Sequence, residues 1–190
     1  MTKQELRKIY LGRRDKMNES EYDRFCRMII QNLFNAANLG TISTLHTYLA
    51  VVEKKEVDTW PMLDRLKRES PHVRVVVPKM AGDTLEHYYY EGLHQLDQNQ
   101  FGIFEPTHGT TTELSRIDIV IVPLLIADKQ GNRLGYGRGF YDRFLSQLPS
   151  SCKKIGLSLF NLEDNIPTDD WDVKLDLMIT PFGMVKPVVI

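Results

Sequence analysis

A chain of 190 residues, 42% hydrophobic and 26% charged, has the size and balance of one globular domain, expected over residues 1–190. Its formal net charge of −1 excludes a broad basic surface for nucleic acid, so any anion recognition must be local. Two isolated cysteines, Cys26 and Cys152, form neither a disulfide framework nor a CxxC pair. The charged N-terminus has no apolar signal segment, and the longest apolar run, 119–127, is interrupted by Pro123 and too short to span a bilayer. A cytoplasmic protein with no membrane partner is the expectation.

Residues 2–17 read as a helix, and residues 20–38 as a second, capped by Ser20 and stopped by Gly40. Its buried stripe is expected at Phe25, Met28, Ile29, Leu33 and Ala36. The β-branched and aromatic stretch 41–49 reads as a strand. A charged loop at 53–58 leads to a helix over 61–69, with Pro61 tolerated in its first turn. Residues 73–77 form a short β-branched run suited to a strand covered on both faces, and 85–90 reads as another strand. Residues 95–112 read as a long irregular connection, and 117–122 as a strand ended by Pro123. A helix at 140–148 and strands at 154–160 and 175–180 complete the chain. Strands separated by helices predict an α/β fold: a three-layer sandwich with a mostly parallel, open, Rossmann-like sheet flanked by helices.

The run RLGYGRGFYDR, from Arg133 to Arg143, is the most distinctive segment. Its glycines let backbone lie close against a bulky ligand, and its arginines suit an anion. A glycine-rich loop entering a helix can cradle phosphate, although glycine also serves turns in plain connections. The run is neither a Walker A sequence nor a dinucleotide-binding fingerprint. In the first helix Lys3, Arg7 and Arg14 fall within about 40° of one another at 100° per residue. They border the apolar sector of Leu6, Ile9 and Met17, as an anion site or a solvated helix edge would. Asp142 either complements the helix dipole or holds Mg²⁺. Asp169, Asp170, Asp172 and Asp176 form either a solvated turn or the rest of a metal site. The five histidines show no zinc spacing, and no nucleophile elbow is present.

The assembled motifs resemble the 5-formyltetrahydrofolate cyclo-ligase (5,10-methenyltetrahydrofolate synthetase) family across nearly the whole chain. The resemblance rests on Lys3-Gln4-Glu5-Leu6-Arg7, Arg13-Arg14, Glu56-Val57-Asp58-Thr59, Val77-Pro78-Lys79 and Glu105-Pro106. Asp128-Lys129-Gln130-Gly131-Asn132 running into the glycine loop, and Pro167 through Asp172 to Asp176, complete it. It implies ATP- and Mg²⁺-dependent cyclisation of 5-formyltetrahydrofolate to 5,10-methenyltetrahydrofolate, with release of ADP and phosphate. It places Lys3, Arg7, Arg14 and the run Arg133, Leu134, Gly135, Tyr136, Gly137, Arg138, Gly139, Phe140, Tyr141 on ATP. Leu49, Glu56 and Tyr136 to Phe140 fall on the folate, and Asp142 and Asp172 on Mg²⁺. Arg133, Arg138 and Tyr141 are the expected reacting-centre residues, in a monomer. Phe140, Met80 and Trp171 depart from the residues usual in the family at those positions. A folate- or nucleotide-binding relative without turnover, or an ATP-dependent enzyme of this fold with another substrate, are the alternatives.

Overall fold

A computed structural model describes residues 1–188. Its elements, in order, are α1 (Lys3–Lys16), α2 (Glu19–Ala36), β1 (Thr44–His46), α3 (Trp60–Glu69), β2 (Arg74–Ala81), β3 (Thr84–Tyr89), β4 (Leu96–Gln98) and β5 (Phe104–Pro106). These are followed by β6 (Ile119–Val122), β7 (Ile126–Ala127), β8 (Arg133–Leu134), α4 (Phe140–Leu145), β9 (Lys153–Leu157), β10 (Leu177–Thr180) and β11 (Gly183–Val185). Seven strands form the central sheet in the order β11-β10-β9-β6-β1-β2-β3. The four inner pairings are parallel and the two edge pairings antiparallel, so the α/β expectation holds. No helix among the described residues is long and apolar enough to cross a membrane.

The inner strands are buried on both faces because helices cover both. Ile119 and Ile121 of β6 pack with Ile29 and Leu33 of α2 and Met62 and Leu66 of α3. Val120 and Val122, pointing the other way by the two-residue period, pack with Phe144 and Leu145 of α4. Helix α1 instead lies across the β7–β8 hairpin, through Leu6 and Tyr10 against Leu125, Ile126 and Leu134. Burying each of those two side chains contributes about 1.5–3 kcal/mol, enough to seat the helix without its charged residues.

Several boundaries differ from the sequence expectation. Asn18, not Ser20, caps α2, its Oδ1 accepting from the Glu21 amide at 2.8 Å. The helix ends at Ala36, before Gly40, and Met28 and Ile9 are exposed. Strand β1 is only three residues long, because after His46 the chain leaves the sheet. The supposed irregular connection contains the β4–β5 hairpin, whose Asn99 Oδ1 accepts from the amides of Phe101 and Ile103. Edge strand β11 and the β7–β8 hairpin were also unexpected, both being too short to leave a periodic signal. Helix α4 stops at Leu145, three residues early.

Candidate functional site

The topology opens a crevice. The chain leaves β1 through α3 to β2 on one side, and leaves β6 through α4 to β9 on the other. Those crossovers cover opposite faces, so β1 and β6 diverge at their carboxyl ends, where open α/β sheets bind ligands. A cleft of about 330 Å³ lies there, floored by Tyr48 and Leu49 after β1 and Pro123 after β6. Pro78, Met80 and Leu85 of the extended β2–β3 hairpin form one wall. Phe101, Ile103 and Phe104 of the β4–β5 hairpin continue it. Glu105 Oε1 accepts from the Met80 amide at 3.0 Å and ties the two hairpins together.

The glycine loop makes the opposite wall. Gly137 (φ 91°) and Gly139 (φ 69°) occupy left-handed backbone that L side chains rarely adopt, and Gly139 starts α4. A Cβ on Gly137 would lie 2.9 Å from the Arg7 guanidinium carbon. Arg7 Nε donates to the Gly135 carbonyl at 3.0 Å, so α1 grips the loop directly. With only six residues, α4 has a weak dipole, and the positive potential comes from side chains.

Charge is concentrated at one end. A capping box between Thr2 and Glu5 fixes the start of α1 and with it Lys3. Lys3 Nζ donates to Asp172 Oδ2 at 2.5 Å and Asp169 Oδ2 at 2.7 Å. Partly exposed pairs of this kind contribute about 0–1 kcal/mol, less than the packing of Leu6 and Tyr10, so these ions are placed for the cleft more than for stability. Arg133 is buried between β8 and the loop before β10; its Nη2 donates to Asp142 Oδ1 at 2.7 Å and its Nη1 to the Val173 carbonyl. The Val173 amide returns a bond to the same Asp142 oxygen at 3.1 Å. Among the described residues Asp142 Oδ2 and Asp172 Oδ1 have no protein donor, and both carboxylates line the cleft. Mg²⁺ takes one or two carboxylates plus substrate phosphates, so this donor set fits it.

Residues 1–181 match the 5-formyltetrahydrofolate cyclo-ligase family. The chain belongs to that family. It is 34% identical over 132 residues to the Escherichia coli 5-formyltetrahydrofolate cyclo-ligase, covering 66% of this chain and 72% of that protein. It is 27% identical to the Mycoplasma genitalium cyclo-ligase over 93% of this chain and 96% of that one. Among solved structures, the Aquifex aeolicus 5,10-methenyltetrahydrofolate synthetase superposes with a TM-score of 0.85 at 29% identity, over 98% of this chain and 93% of that one. The Mycoplasma pneumoniae synthetase gives 0.75 at 29% identity, over 95% and 99%.

In this cyclo-ligase family member, most of the residues singled out from sequence share the cleft: Lys3, Arg7, Leu49, Glu56, the run from Arg133 to Tyr141, Asp142 and Asp172. Arg14 does not join them. It is 2% exposed, and its guanidinium donates to the Tyr136 hydroxyl at 2.9 Å and to the Leu124 carbonyl. Asp176 is likewise elsewhere, accepting from the Lys154 amide at the start of β9. Glu56 accepts from the Val51 amide at 2.9 Å, and burial followed by the nearby Glu56 charge pushes the Tyr136 and Tyr141 phenols well above their ordinary range. The aromatic wall at Phe101 and Phe104 had no sequence signal beyond single aromatics in a polar stretch; Arg138 lies 4.7 Å over the Phe101 ring.

Beneath the loop, His46 and His87 meet through Nε2 and Nδ1 at 3.1 Å, and Phe144 stacks on His87 at 4.1 Å. Burial drives His87 down to about 4 and His46 lower than its ordinary value as well. No cluster of three or more His, Cys, Asp or Glu side chains suited to a metal occurs among the described residues.

Proposed function

We propose that this chain catalyses the ATP- and Mg²⁺-dependent cyclisation of 5-formyltetrahydrofolate to 5,10-methenyltetrahydrofolate, releasing ADP and phosphate. The supporting observation is a single cleft with two chemically distinct ends. Cations and the carboxylates of Asp142 and Asp172 crowd one end, while apolar and aromatic walls carrying Glu56 and the Met80-bound Glu105 form the other. The first suits a Mg-triphosphate; the second suits a flat, partly apolar ring system carrying N–H donors.

An N-formyl amide is a weak electrophile with a poor leaving oxygen. Its oxygen attacks the γ-phosphorus, ADP leaves, and an imino-phosphate results. N10 then attacks the same carbon and loses its proton, and the carbon–oxygen bond breaks to release phosphate. Phosphoryl transfer depends on positioning and charge neutralisation, with little covalent chemistry for the protein. Lys3 and Arg7 hold phosphate oxygens from α1, and Gly135 to Gly139 bring backbone close to the nucleotide. Arg138 and Tyr141 face the reacting centre, and Arg133 acts there while keeping Asp142 oriented. Asp142 and Asp172 would hold Mg²⁺, which supplies further neutralisation of the transferring group. Leu49, Tyr136 and Phe140 border the folate, and Glu56 accepts from its ring N–H groups. The reading is of a cytoplasmic, monomeric, single-domain enzyme.

A heavy-oxygen label in the formyl group tests the chemistry. It should appear in the inorganic phosphate released during turnover. Label retained in unreacted or hydrolysed formyl species, with unlabelled phosphate, rules out phosphorylation of that oxygen.

A further inference from the structure

We infer that Arg14 is a positioning residue that acts on the cleft through Tyr136, fixing the glycine-loop phenol and so shaping the folate end. The inference rests on the proposed function above.

Arg14 is among the largest fully buried side chains, and no carboxylate pairs with it among the described residues. A buried guanidinium is costly unless its donors are used, and an apolar side chain would fill the same space at less cost. Its Nη2 is taken by the Leu124 carbonyl, just past β6, and its Nη1 by the Tyr136 hydroxyl at 2.9 Å, while Nε is buried without a partner. The residue therefore joins three segments: α1, the turn after β6, and the glycine loop.

Tyr136 sits between Gly135 and Gly137, where the backbone has little intrinsic order. Helix α1 supplies that order at two consecutive loop positions. Arg7 holds the Gly135 carbonyl, and Arg14, two turns further along the same helix face, holds the next side chain. Arginine has donors only, so its bond occupies a lone pair on the phenol oxygen and leaves the phenol proton for another acceptor. Glu56, itself anchored by the Val51 amide, lines the same cleft as Tyr136. Arg14 and Tyr136 thus link the buried helix face to the cleft that Glu56 also lines. A side chain that orders a binding group before the ligand arrives lowers the entropy lost on binding.

The test is a double-mutant cycle on Arg14→Lys and Tyr136→Phe, with 5-formyltetrahydrofolate binding measured by calorimetry and amide exchange measured across residues 135–139. Losing one charge-assisted bond should weaken folate binding by about tenfold in either single variant, and the double variant should be no weaker than the worse single. The Michaelis constant for ATP should shift by the same factor in both singles and no further in the double, since the loosened loop also borders the nucleotide. Exchange at 135–139 should quicken equally in both singles. Additive losses, or an Arg14→Lys effect on ATP that persists in the Tyr136→Phe background, would show Arg14 meeting the nucleotide directly and overturn the inference. If Arg14→Lys does not fold, Tyr136→Phe, which leaves Arg14 and Leu124 intact, must still weaken folate binding and loosen the loop; unchanged values reject the brace. The exchange measurement needs no turnover, so an inactive wild type would count against the proposed function alone, and an unaltered loop against the brace alone.

Discussion

Asp142 meets two demands with one carboxylate. Its Oδ1 closes a ring with Arg133 and the backbone of Val173, while Oδ2 is left to the cleft. Truncation to Ala would strand the buried Arg133 charge, so Asp142→Asn is the cleaner probe: it keeps the acceptor and the shape and removes the charge. We expect the Mg²⁺ concentration for half-maximal rate to rise roughly tenfold or more, with a near-native circular dichroism spectrum. Unchanged Mg²⁺ dependence would remove Asp142 from the metal site. At this scale the sequence was informative where chemistry needs a rare pattern, as in Arg133 to Asp142. It was silent where orientation decides: helical spacing put Arg14 in one sector with Lys3 and Arg7, but the sector was divided by packing. Tyr10, not Ile9, faces the hairpin, and the buried face therefore extends over Arg14.

Among the elements, the glycine loop and the β4–β5 hairpin face each other across the cleft, and they differ in how they could be read. The loop announced itself by composition. The hairpin is three residues a side, held by Asn99 and by Glu105 to the Met80 amide, and such short pairing depends on contacts distant in sequence. The loop's conformation yields a paired prediction. Gly137→Ala forces a side chain into left-handed backbone, at about 1–2 kcal/mol, and pushes Arg7 off the Gly135 carbonyl. The melting temperature should fall by roughly 2–8 °C and the Michaelis constant for ATP should rise. Gly135→Ala, with nothing within 4 Å of the new methyl, should leave both almost unchanged. Equal effects at the two positions would mean that loop flexibility in general, not the Gly137 geometry, matters.

For the whole molecule, the divergence of β1 and β6 decides where the site lies, and it follows from strand order, which local patterns do not contain. The alternation of strands and helices sufficed for the α/β class, because buried parallel strands leave dense β-branched runs. The same core holds the His46–His87 pair, which makes stability depend on pH. His87 is neutral when folded, with its value lowered to about 4, against about 6.5 unfolded. Its contribution is complete above pH 6.5 and is lost as pH falls toward 4, on the order of 2–3 kcal/mol, with His46 acting in the same direction. Chemical denaturation at pH 7 and pH 4.5 should show His87→Gln losing less stability than wild type across that interval; an equal loss would assign the slope to the carboxylates. The central claim, that this cleft couples ATP to folate ring closure, is most directly met by following the methenyl-tetrahydrofolate absorbance band with purified protein, folinic acid, ATP and Mg²⁺. The account predicts a rise that disappears when either ATP or Mg²⁺ is left out. A flat trace with all components present, while ATP still binds, would contradict it.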